Sequence, residues 1–122
     1  MTYGKTTWLI GDGYWDSHSN GIFPSHESVC VLNTGDKDAT LRFTLYFEHQ
    51  EEMTGFVATC GAKRTHHVRM DQLKTADGRT VPQDLPYAML VESDVPVVVQ
   101  YSRLMSSQPE LGLMTTIAYP VE

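Results

Sequence analysis

Cysteine, positive charge and long apolar runs are all scarce in this sequence, and each shortage excludes a class of protein. Two cysteines, Cys30 and Cys60, in 122 residues match neither a disulfide framework nor a zinc ribbon. Both are read as reduced thiols, with Cys30 buried among Val29, Val31 and Leu32 of a strand. Nine Lys and Arg stand against fifteen Asp and Glu, a formal net charge of −6, which disfavours a nucleic-acid protein held by general attraction to phosphate. The local exception is Lys63–Arg69, with three basic side chains and two histidines in seven positions. No run approaches the roughly 20 apolar residues of a membrane helix, and the first eight residues, up to Trp8, lack the pattern of a signal peptide. The expectation is a cytoplasmic chain. Helical periodicity is missing too: single helical turns are expected at Met70–Leu73 and Ser106–Leu111, where Pro109 and Gly112 stop anything longer.

What the sequence does have is a period of two. Thr40–Phe47 places Leu41, Phe43, Leu45 and Phe47 on one face and Thr40, Arg42, Thr44 and Tyr46 on the other, the alternation of a half-buried strand. Val97–Leu104 and Leu113–Tyr119 are as strand-like in their β-branched and aromatic content. Weaker strand patterns fall at Thr6–Ile10, Glu27–Leu32, Phe56–Cys60, Thr65–Arg69 and Tyr87–Glu92. Turn chemistry lies between them: Asn33-Thr-Gly-Asp-Lys-Asp38, Ala76-Asp-Gly-Arg79, and Asp94-Val-Pro96, which separates two strands. About eight short strands with such turns predict an all-β antiparallel sandwich, one domain over residues 1–122.

Two polar strings interrupt the apolar pattern, Ser25-His26-Glu27 and Lys63–Arg69. Buried strand faces rarely hold His, Glu and Arg without a partner for each. Ser25, His26 and Glu27 are the residue types of a hydrolytic triad, but neighbours on a strand point to opposite faces, so no catalytic residue is assigned and no enzyme is expected. His26 shares a face with Ser28 and Cys30; Glu27 joins Val29 and Val31. His66 and His67 diverge likewise and cannot chelate one ion, and no metal-spaced motif is present, so no metal and no cofactor are expected. His18, His49 and Asp16 are the remaining loop ligands. Arg103 closes the apolar stripe of Val97, Val99 and Tyr101, which makes Glu27 its natural carboxylate partner. The loop Gly11–Gly21 fails as a dinucleotide fingerprint because Asp16 holds the third glycine position. Its Tyr14 and Trp15 are either lids over the core or platforms for a ligand. The sharper reading brings arginine, histidine and glutamate together at one end of the sandwich. His26, Glu27, Arg64, His67 and Arg103 then supply polar contacts, and Tyr14 or Trp15 the stacking surface, for a small hydroxylated metabolite such as a sugar.

At these strings the sequence resembles the sensory rhodopsin transducer family of small bacterial β-sandwich proteins. The matching positions include Gly13-Tyr14, Ser25-His26-Glu27, Val29-Cys30, Leu32-Asn33 with Gly35-Asp36, Arg64-Thr65 with His67-Val68-Arg69, Val95-Pro96 with Val98-Val99-Gln100, Arg103-Leu104 and Thr116-Ile117-Ala118-Tyr119. The resemblance runs from about Trp8 to Tyr119. It implies an eight-stranded sandwich, assembly as a homotetramer and no enzymatic activity. It also implies one of two roles: a sensor that binds a small molecule such as a sugar, or an adaptor relaying a signal from a membrane photoreceptor. The sequence departs from the family in the loop Trp15–Pro24 and in Met105–Pro109.

Overall fold

The computed structural model describes residues 2–122. Alternating apolar residues form eight antiparallel strands: β1 (Lys5–Gly13), β2 (His26–Asn33), β3 (Ala39–Tyr46), β4 (Met53–Cys60), β5 (Arg64–Arg69), β6 (Tyr87–Met105), β7 (Gly112–Ile117) and β8 (Tyr119–Pro120). One sheet runs β4-β3-β6-β1-β8 and the other β5-β2-β6-β7. Strand β6 therefore belongs to both. Its first half pairs with β1 and β3, and its second half with β2 and β7.

This corrects the expected break at Asp94-Val-Pro96. The segment bends without ending the strand. Ser93 Oγ donates to Val95 O at 2.6 Å and accepts from Val95 N at 3.3 Å, while Asp94 Oδ1 accepts the Thr40 amide at 2.7 Å. Trp8 Nε1 donates to Lys5 O and Val97 O, both at 3.1 Å. Gly4, at φ +94°, lies so flat against the bend that a Cβ there would meet Val97 O at 2.2 Å. A strand that switches sheets at a bend is one way to close a sandwich corner. Parity survives the passage: Tyr87, Met89, Val91, Val97, Val99 and Tyr101 are all buried, so odd-numbered positions face inward before and after the bend.

The core fills between the sheets with Leu41, Phe43 and Leu45 of β3, Val29 and Val31 of β2, Phe56 of β4, and Trp8 and Ile10 of β1. Residues 70–72 make the expected turn, but 106–111 is an irregular bend and not a helical one. Cys60 is buried and Cys30 is only half-buried, the reverse of the expectation for Cys30. Cys30 shares its face with Ser28 and its cross-strand neighbours Gln100 and His67, so it lies on the outer side of the sheet. Among the described residues, no helix is long and apolar enough to cross a membrane.

Phe43, 1% exposed at the centre of β3, tests the packing. Phe43→Ala is expected to lower unfolding free energy by about 3–5 kcal/mol, read from urea denaturation with an unchanged m value.

Candidate functional site

Glu27 sits on the inner face of β2 with 1% of its surface exposed. Burial of a carboxylate requires donors, and three converge on it. The Tyr14 amide donates to Oε2 at 2.7 Å, the Tyr87 hydroxyl donates to Oε1 at 2.6 Å, and the Tyr101 hydroxyl donates to Oε2. Arg103 stands directly across from Glu27 in the β2–β6 register. Its guanidinium does not take the carboxylate directly. Arg103 Nε donates to the Tyr101 hydroxyl oxygen at 3.0 Å, and its Nη2 reaches Asp12 O at 3.1 Å and Asp12 Oδ1 at 3.2 Å. The expected pair thus becomes a relay, guanidinium to phenol to carboxylate, with Asp12 as the ionic partner.

Burial, then the charge of Glu27, pushes both phenols above the ordinary tyrosine range. Gly13 permits the close packing beside them, because a Cβ there would lie 2.7 Å from the Tyr87 ring. Tyr87 and Tyr101 were not among the candidate residues. Their signal was parity: both fall on the inward register of β6, where a phenol must find an acceptor.

A loop end roofs this node. Ser25, buried beside Glu27 in sequence, donates from Oγ to His18 O at 2.8 Å and accepts the Ser106 amide at 2.9 Å. The Asn20 amide donates to Ser106 O at 2.6 Å, and Asn20 Nδ2 to Ser107 O at 2.6 Å. The stretches 15–24 and 105–109 therefore lie against each other. Trp15 packs on the core as a lid, and its carbonyl accepts the Asp84 amide at 2.8 Å. Tyr14 is half-buried and contributes its backbone, not its ring, to the node. Asp16, His18 and Asp84 gather at the surface with ligand atoms within 4.8 Å of one another. Their polar atoms are taken up locally, by the His18 ring on Asp16 and by Ser17 on Asp84.

The other candidates do not join. His26 turns outward and donates from Nδ1 to Pro24 O at 2.8 Å, away from Ser25, which leaves no triad geometry. Arg64 pairs in register with Asn33 at the far end of β2, six positions from Glu27 and so about 20 Å away. It is exposed and bonds Lys63 O at 3.0 Å. His67 lies exposed on the outer face opposite Cys30. His66 bridges the open side of the sandwich by donating to Thr59 O at 2.6 Å. Arg69 is held by Asp71 in a two-pronged bond of 2.8 and 2.7 Å. Arginine, histidine and glutamate thus do not form one pocket.

Two clefts flank the node, sharing Asp12. One, about 290 Å³, reaches Tyr87 between Gly11 and Phe47. The other, about 270 Å³, reaches Tyr101 between Leu9 and Met114. A larger one of about 430 Å³ opens far from it, at the Asn33–Lys37 turn, with Tyr3, Lys63 and Pro96 on its walls.

The sequence profile of the family "ASRT: Anabaena sensory rhodopsin transducer" matches residues 3–120. The chain belongs to that family. The crystal structure titled "Thermotoga maritima 1070" is 37% identical, with a TM-score of 0.87, and the match covers 98% of this chain and 97% of that one. The Anabaena sensory rhodopsin transducer is 40% identical, with a TM-score of 0.76, over 89% of this chain and 96% of that one. No curated protein sequence matches. As a transducer-family sandwich, the protein carries its polar node between the sheets.

The node generates two predictions. Glu27→Ala leaves two buried phenols without their acceptor and is expected to cost about 2–5 kcal/mol in unfolding free energy, with Tyr101→Phe milder than Glu27→Ala. The raised phenol pKa values stabilise the fold fully below the unfolded tyrosine pKa of about 10. That contribution is lost as pH rises through the folded values, because the unfolded chain then releases protons that the fold retains. Absorbance at 295 nm should show Tyr87 and Tyr101 ionising only as the protein unfolds.

Proposed function

We propose that this protein is a non-enzymatic signalling adaptor that docks, as a homo-oligomer of the tetrameric kind, on the cytoplasmic side of a membrane receptor. The observation that carries the reading is its full-length membership of the transducer family, with 40% identity to a protein named for transducing a sensory rhodopsin signal. The geometry agrees with it. Glu27, Ser25 and Arg103 spend their hydrogen-bonding capacity on one another's neighbourhoods, so the chemistry available to a partner lies on the outer surface. A cytoplasmic setting suits its two free thiols. Relay would require the receptor's two states to bind the adaptor with different affinity.

A second reading, a sensor for a small hydroxylated metabolite or sugar, is favoured by one feature, the cleft at the Asn33–Lys37 turn. There the exposed Tyr3 ring stands near Asp36 and Lys63, themselves paired at 3.0 Å. A ring with polar groups beside it is the arrangement sugars use. The ligand contacts then move from His26, Glu27, His67 and Arg103 to this turn, with Arg64 next to it.

Both readings are testable on the purified chain. A sensory rhodopsin in lipid nanodiscs should capture the protein saturably, with a dissociation constant that changes on illumination. No capture up to on the order of 100 μM would overturn the adaptor. A thermal-shift screen with sugars, sugar acids and sugar phosphates decides the sensor, since a ligand of the folded state must raise the melting temperature. A shift abolished in Lys63→Ala supports the cleft, and no shift across the panel removes it.

A further inference from the structure

Where β3 ends and β1 bulges, the first sheet opens into the cleft of about 290 Å³ that reaches Tyr87. The register explains the opening. Ile10 pairs with Met89 and Gly13 with Tyr87, so three steps of β1 run against two of β6, a β-bulge of the kind found beside binding sites. Gly11 and Ala88 put almost no side chain over the floor, and a Cβ on Gly11 would meet nothing within 4 Å. Tyr46, 41% exposed at the end of β3 and paired in register with Ala88, stands beside that floor. Phe47 and Tyr87 supply two further rings, with centroids 6.4 Å apart and planes inclined by 48°.

The polar groups of this cleft are of one sign. Asp12 and Glu48 bring carboxylates, and no Lys, Arg or His is among the lining residues. Arg103 reaches Asp12 from the side of the node, at 3.2 Å, and Glu48 has the exposed His49 ring at 3.7 Å. The Tyr87 hydroxyl is already given to Glu27, so Tyr87 offers the cleft its ring and no donor. That leaves the Tyr46 hydroxyl as the side-chain donor of the lining. A sugar or an anion needs several donors, whereas aromatic surface rimmed by negative charge attracts an organic cation. The net charge of −6 adds to that attraction. A primary ammonium would have to turn unpaired N–H groups toward the rings. An alkylated ammonium has few or none to satisfy, and its apolar head fits the rings.

We propose that this cleft binds a small quaternary or alkylated ammonium compound, with its head against Tyr46, Phe47 and Tyr87 and its charge facing Asp12 and Glu48. Tyr87 and Asp12 belong also to the polar node, so a ligand here bears directly on the partners of Glu27 and Arg103. The site depends neither on a receptor nor on the cleft at the Asn33–Lys37 turn.

Isothermal titration calorimetry of the full chain with choline chloride at low salt tests it. Binding is expected to saturate with a dissociation constant on the order of 1 mM. Dimethylbutanol, the uncharged carbon isostere of choline, should bind about tenfold more weakly or not at all. Tyr46→Leu keeps an apolar side chain but removes the ring, and should weaken choline binding about fivefold. Glu48→Gln removes the rim charge at nearly constant shape and should weaken it about twofold. Both residues are exposed, so circular dichroism and melting temperature should stay close to wild type. Cosedimentation with phosphatidylcholine vesicles separates two sources of the same chemistry. Capture competed by choline assigns a lipid headgroup, and choline binding without capture assigns a free compound. No saturation up to about 20 mM choline, equal affinity for dimethylbutanol, or wild-type affinity in both folded variants would overturn the cation site.

Discussion

The carboxylate of Glu27 is the constraint around which the sandwich closes. Tyr87 and Tyr101 lie fourteen positions apart on one strand, a span of about 46 Å if that strand were straight. Both hydroxyls nevertheless reach the same side chain. They can do so only because β6 folds over at Asp94–Val97 and lays its halves in facing sheets. The node thus couples the bend to the end of β1, through the Tyr14 amide, and to the surface pair of Arg103 and Asp12. Three charge-assisted donors around a sealed carboxylate specify one arrangement of these segments, because a displaced partner leaves a buried polar group unsatisfied.

That arrangement divides the molecule by task. Between the sheets, packing and the polar node hold the halves of β6 in place. Over the node, the loop 15–24 and the segment 105–109 bond to each other through Ser25, Asn20 and Ser106 and form one surface. At the side, β7 continues the sheet that contains Glu27 and Arg103 and leaves it open.

Much of the chemistry is legible in the sequence, and the misplacements arise where side chains meet through strand pairing. Glu27 was recognisable as a buried carboxylate because it alternates with Val29 and Val31, and Arg103 as its neighbour because it closes the stripe of Val97, Val99 and Tyr101. The phenol between them was not, since a tyrosine on an apolar stripe reads as core. The polar strings holding Glu27 and Arg64 with His67 suggest convergence at one end of the sandwich, yet β5 runs antiparallel to β2 and carries Arg64 to the opposite end. Cys30 has apolar sequence neighbours, yet alternation puts it on the face of Ser28, and the register sets it beside Gln100 and His67 on the outer side.

The sequence by itself determined most of the strand-forming segments, the inward positions along them and the need of Glu27 for partners, because alternation and desolvation act over a few residues and are written in local order. Tertiary structure decided which strands pair, that Asp94-Val-Pro96 bends β6 instead of ending it, which residues meet at the carboxylate, and which edge stays open. Those outcomes depend on registers between segments up to about a hundred residues apart, such as β1 with β8, where closing the sandwich and satisfying every buried polar group together select one pairing among many that local pattern allows.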